Sequence, residues 1–444
     1  MQNPVIVVPG ITASELRDEY PIAPENVWTT VLKKDFERIT LHPDDRRYER
    51  NEPARIRPEA VFDPPYGELI SELRHNLTLK ADKPVPVYPF AYDWRMPLKQ
   101  TVEELNQLID EVVDRTRLMR HYGRNYQKNA KVDLVGHSMG GLVIAGYLAA
   151  HGDQKRIGKV ATLGTPFQGS YEAPIKVLTG TASLGTPEAG SREREAARIT
   201  PALYHLVPRF SVPLDNGAVP AVVDQNGQAV DLFDAGTWQD GVVDSLAEFI
   251  RLYSVDRASN LTERRTRATK LLQEMLNDAK DFLAETDKLK LAKDVNDLSA
   301  SDWLCIAGVD TDTRIRLRLV KDRFSLSSDD RKNRWGKDVD PILTGDGTVP
   351  LAGAVPTFLQ QENVVCVRPS DLGYWEVGDR ALLGPVGFHG LLPKVNLIQR
   401  LVVTHLRGRS GQGNDSVWGC SMPGVTAAQW KPAISKLQWK QKQK

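Results

Sequence analysis

The chain has 444 residues, 41% of them hydrophobic, with 58 basic against 57 acidic side chains and a formal net charge of +1. That balance supplies no global field for nucleic acid or an anionic membrane, so no nucleic-acid partner is expected. The longest apolar stretch, residues 141–150, falls far below the roughly 18 residues that a membrane span needs.

The N-terminus, MQNPVIVVPG, shows no basic n-region and no long apolar h-region, which reads as an unexported, cytoplasmic chain. Cys305, Cys366 and Cys420 are odd in number and widely spaced, without a CxxC or clustered histidines. They argue against a disulfide framework and a structural zinc site, and no motif asks for a cofactor or a metal.

In chain order, short β-branched runs at 5–8, 85–88, 132–135, 159–163, 303–307 and 364–367 read as buried parallel strands. Helical patterns at 101–113 and 391–402 alternate with some of them, as in an open doubly wound sheet. Residues from about 170 to 300 break this rhythm. The segment LTGTASLGTPEAGS (178–191) is rich in small polar residues, as a mobile lid edge would be. DQNGQ (224–228) carries the Asn-Gly signal of a tight hairpin. Asn260 with Glu263 forms a capping box that opens a long helix. Ala268, Leu271, Leu272, Met275, Leu276, Ala279, Phe282 and Leu283 keep the period that buries one helix face. The division expected is an α/β core over 1–170 and 300–410, a mainly helical cap over 171–299, and a C-terminal extension over 411–444. The tail QWKPAISKLQWKQKQK (429–444) sets Trp430, Ile434, Leu437 and Trp439 among five lysines. It reads as a membrane-surface helix or a solvated terminus.

Chemistry concentrates at VDLVGHSMGGLVIAGYLAA (132–150), where Ser138 stands between Gly136 and Gly140. GxSxG occurs by chance about 0.15 times in a chain of this length. A strand before it and a small-residue helix after it make it a nucleophile elbow, a sharp turn that exposes the serine hydroxyl. Such a serine needs a base and a carboxylate downstream, in the order Ser, acid, His. His389, in the glycine-flanked GPVGFHGLLP, and His405, at a helix end, are the histidines far enough along. Asp346, between two glycines in TGDGTVP, and Asp310, directly after a strand, compete for the acid, and either could be an ordinary turn former. The oxyanion of an acyl intermediate would be met by the N–H of Met139 and by that of Ile11, freed by the Pro9-Gly10 turn, with the Thr12 side chain beside it.

VVPGITASEL, YPFAYDWR, GHSMGG, GTPFQGS, LYHLVPRF, GDGTVP and FHG stand in the order seen in the lecithin:cholesterol acyltransferase-like family, which the chain resembles from about residue 4 to 400. That family includes phospholipid:diacylglycerol acyltransferases and lysosomal-type phospholipases A. The resemblance implies an α/β-hydrolase fold, a cap over an acyl-chain groove and a triad of Ser138, Asp346 and His389. It also marks Asp93, Trp94 and Arg95, either as an Asp–Arg brace with Trp94 near the groove or as purely structural residues. The secreted members carry a signal peptide and disulfides near the cap, and neither is read here. The run LHPDDRRYERNEPARIRPE (41–59) is highly charged where a lipid-docking surface would be expected.

The expected activity is cleavage of a lipid acyl ester through an acyl-enzyme, with transfer to an alcohol acceptor open beside hydrolysis. The expected partners are that ester and a membrane surface met through cap or tail. Two other readings share these residues: a soluble carboxylesterase or thioesterase, and a partner-gated module that keeps the hydrolase fold.

Overall fold

The computed structural model describes residues 2–29, 33–180, 190–214, 217–315, 317–320, 323–325, 345–371, 387–411 and 417–440. Most of the stretch read as a lid edge, 181–189, lies outside them.

All six expected runs form strands of one sheet: β1 (Val5–Val8), β2 (Val87–Pro89), β3 (Val132–His137), β4 (Ile157–Leu163), β5 (Trp303–Gly308) and β6 (Val364–Val367). Their order is β6-β5-β4-β3-β1-β2, and every neighbouring pair is parallel. Alternate residues face opposite layers, as the two-residue strand period requires. Val5, Val7, Val135, Leu163 and Ile306 join one buried cluster, whereas Ile6, Val8, Leu134, Val160 and Cys305 join the other. One layer is built on α1 (Asp63–Leu77) and α6 (Asn396–Arg407), and the other on α2 (Leu98–Arg117) and α3 (Met139–His151). Helices on both faces of a parallel sheet are the doubly wound arrangement expected.

Between β4 and β5 the described residues are mostly helical, with α4 (Asp240–Tyr253) packing along α5 (Leu261–Asp287). The Asn260 side chain accepts the Glu263 N–H (2.9 Å), as a cap should, but the Glu263 carboxylate returns to Ser259 N–H (3.3 Å) and only half of the expected box forms. The apolar stripe of α5 is buried, and Phe282 lies against Gly146 of α3, so this long helix seats on the elbow helix. The Asn-Gly turn is present: Asp224 N–H donates to Gln228 O (2.8 Å), and Val223 pairs antiparallel with Ala229.

Two features depart from expectation. Residues Ser14–Asp18, Glu25–Thr29, Lys33–Lys34 and Ile56–Val61 form a four-stranded antiparallel sheet that no hydropathy run announced. The charged run 41–59 feeds its end strand and turns Glu49 and Arg50 inward, where both are buried. The basic tail forms no helix among residues 417–440, because Pro432 interrupts the pattern and the apolar groups pack instead. Trp430 Nε1 donates to Val364 O (2.9 Å), Ile434 and Leu437 are buried, and Trp439 is left 41% exposed. These three buried groups are therefore not available to a membrane surface. Among the described residues no helix is long and apolar enough to cross a membrane.

Buried titratable groups outside the elbow set a pH dependence. Burial pushes His205 and His405 down to about 4; His405 Nε2–H donates to Val160 O (3.0 Å) instead of acting as a charged helix-end partner. Burial pushes Asp133 up to about 6, although Asn3, Gln2 and the Lys159 N–H all donate to it. Below 6.5 the unfolded chain takes up protons that the folded histidines refuse, so stability rises with pH from about 4 to 6.5. Asp133 opposes this below pH 6, where the folded form keeps a proton that the unfolded form loses. Two histidines outweigh one carboxylate. We expect the urea midpoint to fall between pH 6.5 and 5 by the equivalent of roughly 2 kcal/mol, the loss from the two histidines less the gain from Asp133. An unchanged midpoint would mean that these imidazoles are not held neutral.

Candidate active site

Ser138 sits at the tip of the β3–α3 turn with φ 53° and ψ −130°, a backbone that side chains rarely adopt. Its N–H donates to Leu163 O (2.9 Å), and Gly141 N–H donates back to Ser138 O (3.0 Å), so both flanks of the strained residue are fixed. Gly140 makes the turn possible. A Cβ there would lie 2.2 Å from Val8 O and 2.6 Å from Pro9 O, so only hydrogen lets α3 press against the end of β1.

Ser138 Oγ is 2.9 Å from His389 Nε2, and His389 Nδ1 is 2.7 Å from Asp346 Oδ2. Asp346 Oδ1 accepts the N–H groups of Thr348 (3.0 Å) and Val349 (2.7 Å), and His389 N–H donates to Asp346 O (3.0 Å). Each oxygen of the carboxylate thus has one task. Two backbone amides fix one of them, which aims the other at the imidazole. Gly164, at φ 55°, follows β4 and leaves room for this pair: a Cβ there would stand 2.8 Å from Asp346 Oδ2. His405 and Asp310 lie outside this chain of hydrogen bonds. Asp310 turns at φ 65°, and the next residue, Thr311, makes an isolated parallel bridge to Asp346, with Thr311 N–H donating to Gly345 O (3.1 Å).

Met139 opens α3, where first-turn amides have no partner within the helix. Ile11 follows Pro9-Gly10 at the end of β1, beside Ser138. Thr12 takes φ 63°, and its carbonyl accepts the indole N–H of Trp28 (3.0 Å). Ile11 and Thr12 line a narrow, mainly apolar cavity with Phe36, Trp94 and Leu203, and Lys176 is the one cation among the described residues that line it. Burial there pushes the Lys176 amine downward from its usual range.

Asp93, Trp94 and Arg95 do not touch Ser138, His389 or Asp346 through any hydrogen bond among the described residues. Arg95 is buried and grips Asp93 bidentately (Nε to Oδ1 2.8 Å, Nη2 to Oδ2 2.6 Å), reaches Glu49 (2.9 Å) and donates to Ile39 O (2.8 Å). Trp94 donates to Ser14 O (3.2 Å) and packs on Trp28 with ring centroids 4.8 Å apart. Tyr92, from the same motif, reaches further: its hydroxyl donates to Pro9 O (2.9 Å) and so holds the loop that carries Ile11. Sequence reasoning did not single out Tyr92, Tyr66 or Lys176. Among the described residues no three His, Cys, Asp or Glu side chains come together as a metal site.

The lecithin:cholesterol acyltransferase family model matches residues 72–333, more than half of the chain and a span that includes the elbow. The chain belongs to the lecithin:cholesterol acyltransferase family. Membership places it among lipid acyl-ester hydrolases and acyltransferases. A search of curated proteins found no sequence match. Among solved structures, the Tle4–Tli4 complex is similar over 79% of this chain and 88% of that chain, at 14% identity and a TM-score of 0.54. At that identity the likeness shows a shared fold, the α/β-hydrolase fold. The mature lipase BlEst2 of Bacillus licheniformis aligns over 46% of this chain and 55% of its own, at 16% identity and a TM-score of 0.24. Phospholipase PlaB of Legionella pneumophila aligns over 39% and 27%, at 12% identity and a TM-score of 0.23.

Proposed function

We propose that this lecithin:cholesterol acyltransferase family member cleaves a lipid acyl ester through an acyl-enzyme on Ser138. His389 Nε2 takes the serine proton while Asp346 holds Nδ1–H and stabilises the imidazolium. The Ile11 and Met139 amides receive the developing oxyanion. Collapse expels the alcohol half of the ester, which takes its proton from His389, and water then releases the acyl group by the same steps reversed. An acceptor alcohol in place of water makes the same enzyme an acyltransferase. The observation that carries the reading is the unbroken hydrogen-bonded run from Ser138 Oγ to a carboxylate whose second oxygen is already occupied. The side chains lining the narrow cavity beside Ile11 are mainly apolar, as an acyl chain requires, and the cavity has to widen to admit one.

The test is a mixed panel of phospholipids and neutral glycerides, offered to wild type and Ser138→Ala with an alcohol acceptor and followed by mass spectrometry. Free fatty acid as the main Ser138-dependent product supports hydrolysis, and new ester supports transfer. Turnover of small esters alone would support a carboxylesterase instead. Products that form equally well without Ser138 would remove the nucleophile.

A further inference from the structure

Behind the Ser138–His389–Asp346 run lies a second chain of hydrogen bonds that the mechanism above does not use. Gly10 N–H donates to Tyr66 Oη (2.9 Å), Tyr66 Oη is 2.6 Å from His137 Nδ1, and His137 Nε2 is 2.9 Å from His389 O. Tyr66 and His137 are both buried. We propose that Tyr66 and His137 are a positioning relay, which sets the oxyanion loop and the base-bearing loop in one fixed relation to Ser138. The proposal rests on the serine-nucleophile reading.

The direction of every bond follows from the groups at the two ends. A backbone N–H only donates, so Tyr66 Oη accepts from Gly10 and its own proton points at His137 Nδ1. A carbonyl only accepts, so His137 Nε2 carries the imidazole proton and gives it to His389 O. Nδ1 is then bare and free to accept from the tyrosine. One tautomer satisfies every partner, and a protonated imidazole would set a second donor against the Tyr66 hydroxyl. Burial, with His389 beside it, pushes His137 well below the ordinary histidine range, in keeping with a neutral ring.

The three segments joined are the ones whose spacing the chemistry needs. Gly10 precedes Ile11, His137 precedes Ser138, and His389 presents the base. Tyr66 belongs to the first turn of α1 in the opposite helical layer, so the relay also ties the site to the bulk of the fold. His389 is held at both backbone ends, its N–H on Asp346 O and its carbonyl on His137. A 1 Å error between nucleophile, base and oxyanion donors is worth about 10²-fold in rate.

The experiment compares wild type, Ser138→Ala, Tyr66→Phe, His137→Asn, His137→Gln, His137→Phe and the Tyr66→Phe/His137→Phe double variant. The readouts are fluorophosphonate labelling, steady-state ester hydrolysis and thermal melting. Tyr66→Phe keeps the ring and removes both bonds. It is expected to lower kcat and the labelling rate constant about 10- to 100-fold, with KM within about twofold and a melting temperature lower by only a few degrees. Asparagine retains an acceptor near the Nδ1 position and glutamine a donor near Nε2, so each should fall between wild type and His137→Phe. The double variant should be no slower than His137→Phe, because a relay broken once is broken. Tyr66→Phe within twofold of wild type, or two losses that multiply in the double variant, would overturn the relay while the nucleophile reading stands. If Ser138→Ala itself stays active, the nucleophile reading fails and the relay with it.

Discussion

Ser138→Ala is expected to lower kcat on the preferred lipid ester by about 10⁶-fold and to abolish fluorophosphonate labelling. What survives comes from the oxyanion donors and from substrate binding. Asp346→Asn should cost about 10⁴-fold, and the reason lies in how this carboxylate is held. Its Oδ1 accepts two backbone amides, from Thr348 and Val349, and an asparagine would keep its only oxygen there. Its NH₂ would then face His389 Nδ1, which must become an acceptor and move its proton to Nε2. Nε2–H would point at Ser138 Oγ and could not take a proton from it. The Ser138→Ala/Asp346→Asn double variant should be no slower than Ser138→Ala, since the groups act as one unit. An Asp346→Asn enzyme within tenfold of wild type would sink the role assigned to Asp346.

Arg95→Met should destabilise the fold by about 3 to 5 kcal/mol, read as a shifted urea midpoint. Burial works against the Arg95 charge, but Asp93 and Glu49 more than offset it and hold the guanidinium protonated. Taking away the cation leaves two buried carboxylates facing each other, together with the Ile39 carbonyl it satisfied. Arg95→Met combined with Asp93→Asn and Glu49→Gln removes the uncompensated charge and should recover part of the loss. A loss below about 1 kcal/mol in the single variant would show that the cluster is already well hydrated.

The central strands were legible in the sequence because both faces are covered, so burial writes continuous apolar runs such as VIVV and VVCV. The small N-terminal sheet was not. In Ser14–Asp18 the inward positions are Ser14, Leu16 and Asp18, so two of three are polar and the alternation vanishes from hydropathy. Asp18 is satisfied there by the N–H groups of Tyr20 and Arg55, which no local pattern announces. Glu49 was hidden in the same way, inside a run whose charge reads as solvated. Ser138, Asp346 and His389 stand out because glycines bracket each of them. Tyr66 sits 71 residues from His137, and a tyrosine in the first turn of a helix looks like any other.

The packing of the C-terminal extension against the sheet has a further effect on how the protein meets copies of itself. An open sheet has two rims, and each is a row of backbone groups able to template another chain. One rim is β2, which is three residues long and ends in Pro89, so it offers little to pair with. The other is β6, whose sequence VVCV has neither charge nor proline. Cys420 exchanges both backbone bonds with Cys366 (2.8 and 3.0 Å), and Lys431 N–H donates to Glu362 O (2.7 Å) just before the strand. The C-terminal extension thus occupies the rim that β6 itself leaves unguarded, and the protection of the central sheet against edge-to-edge aggregation is stored in residues remote from Ser138.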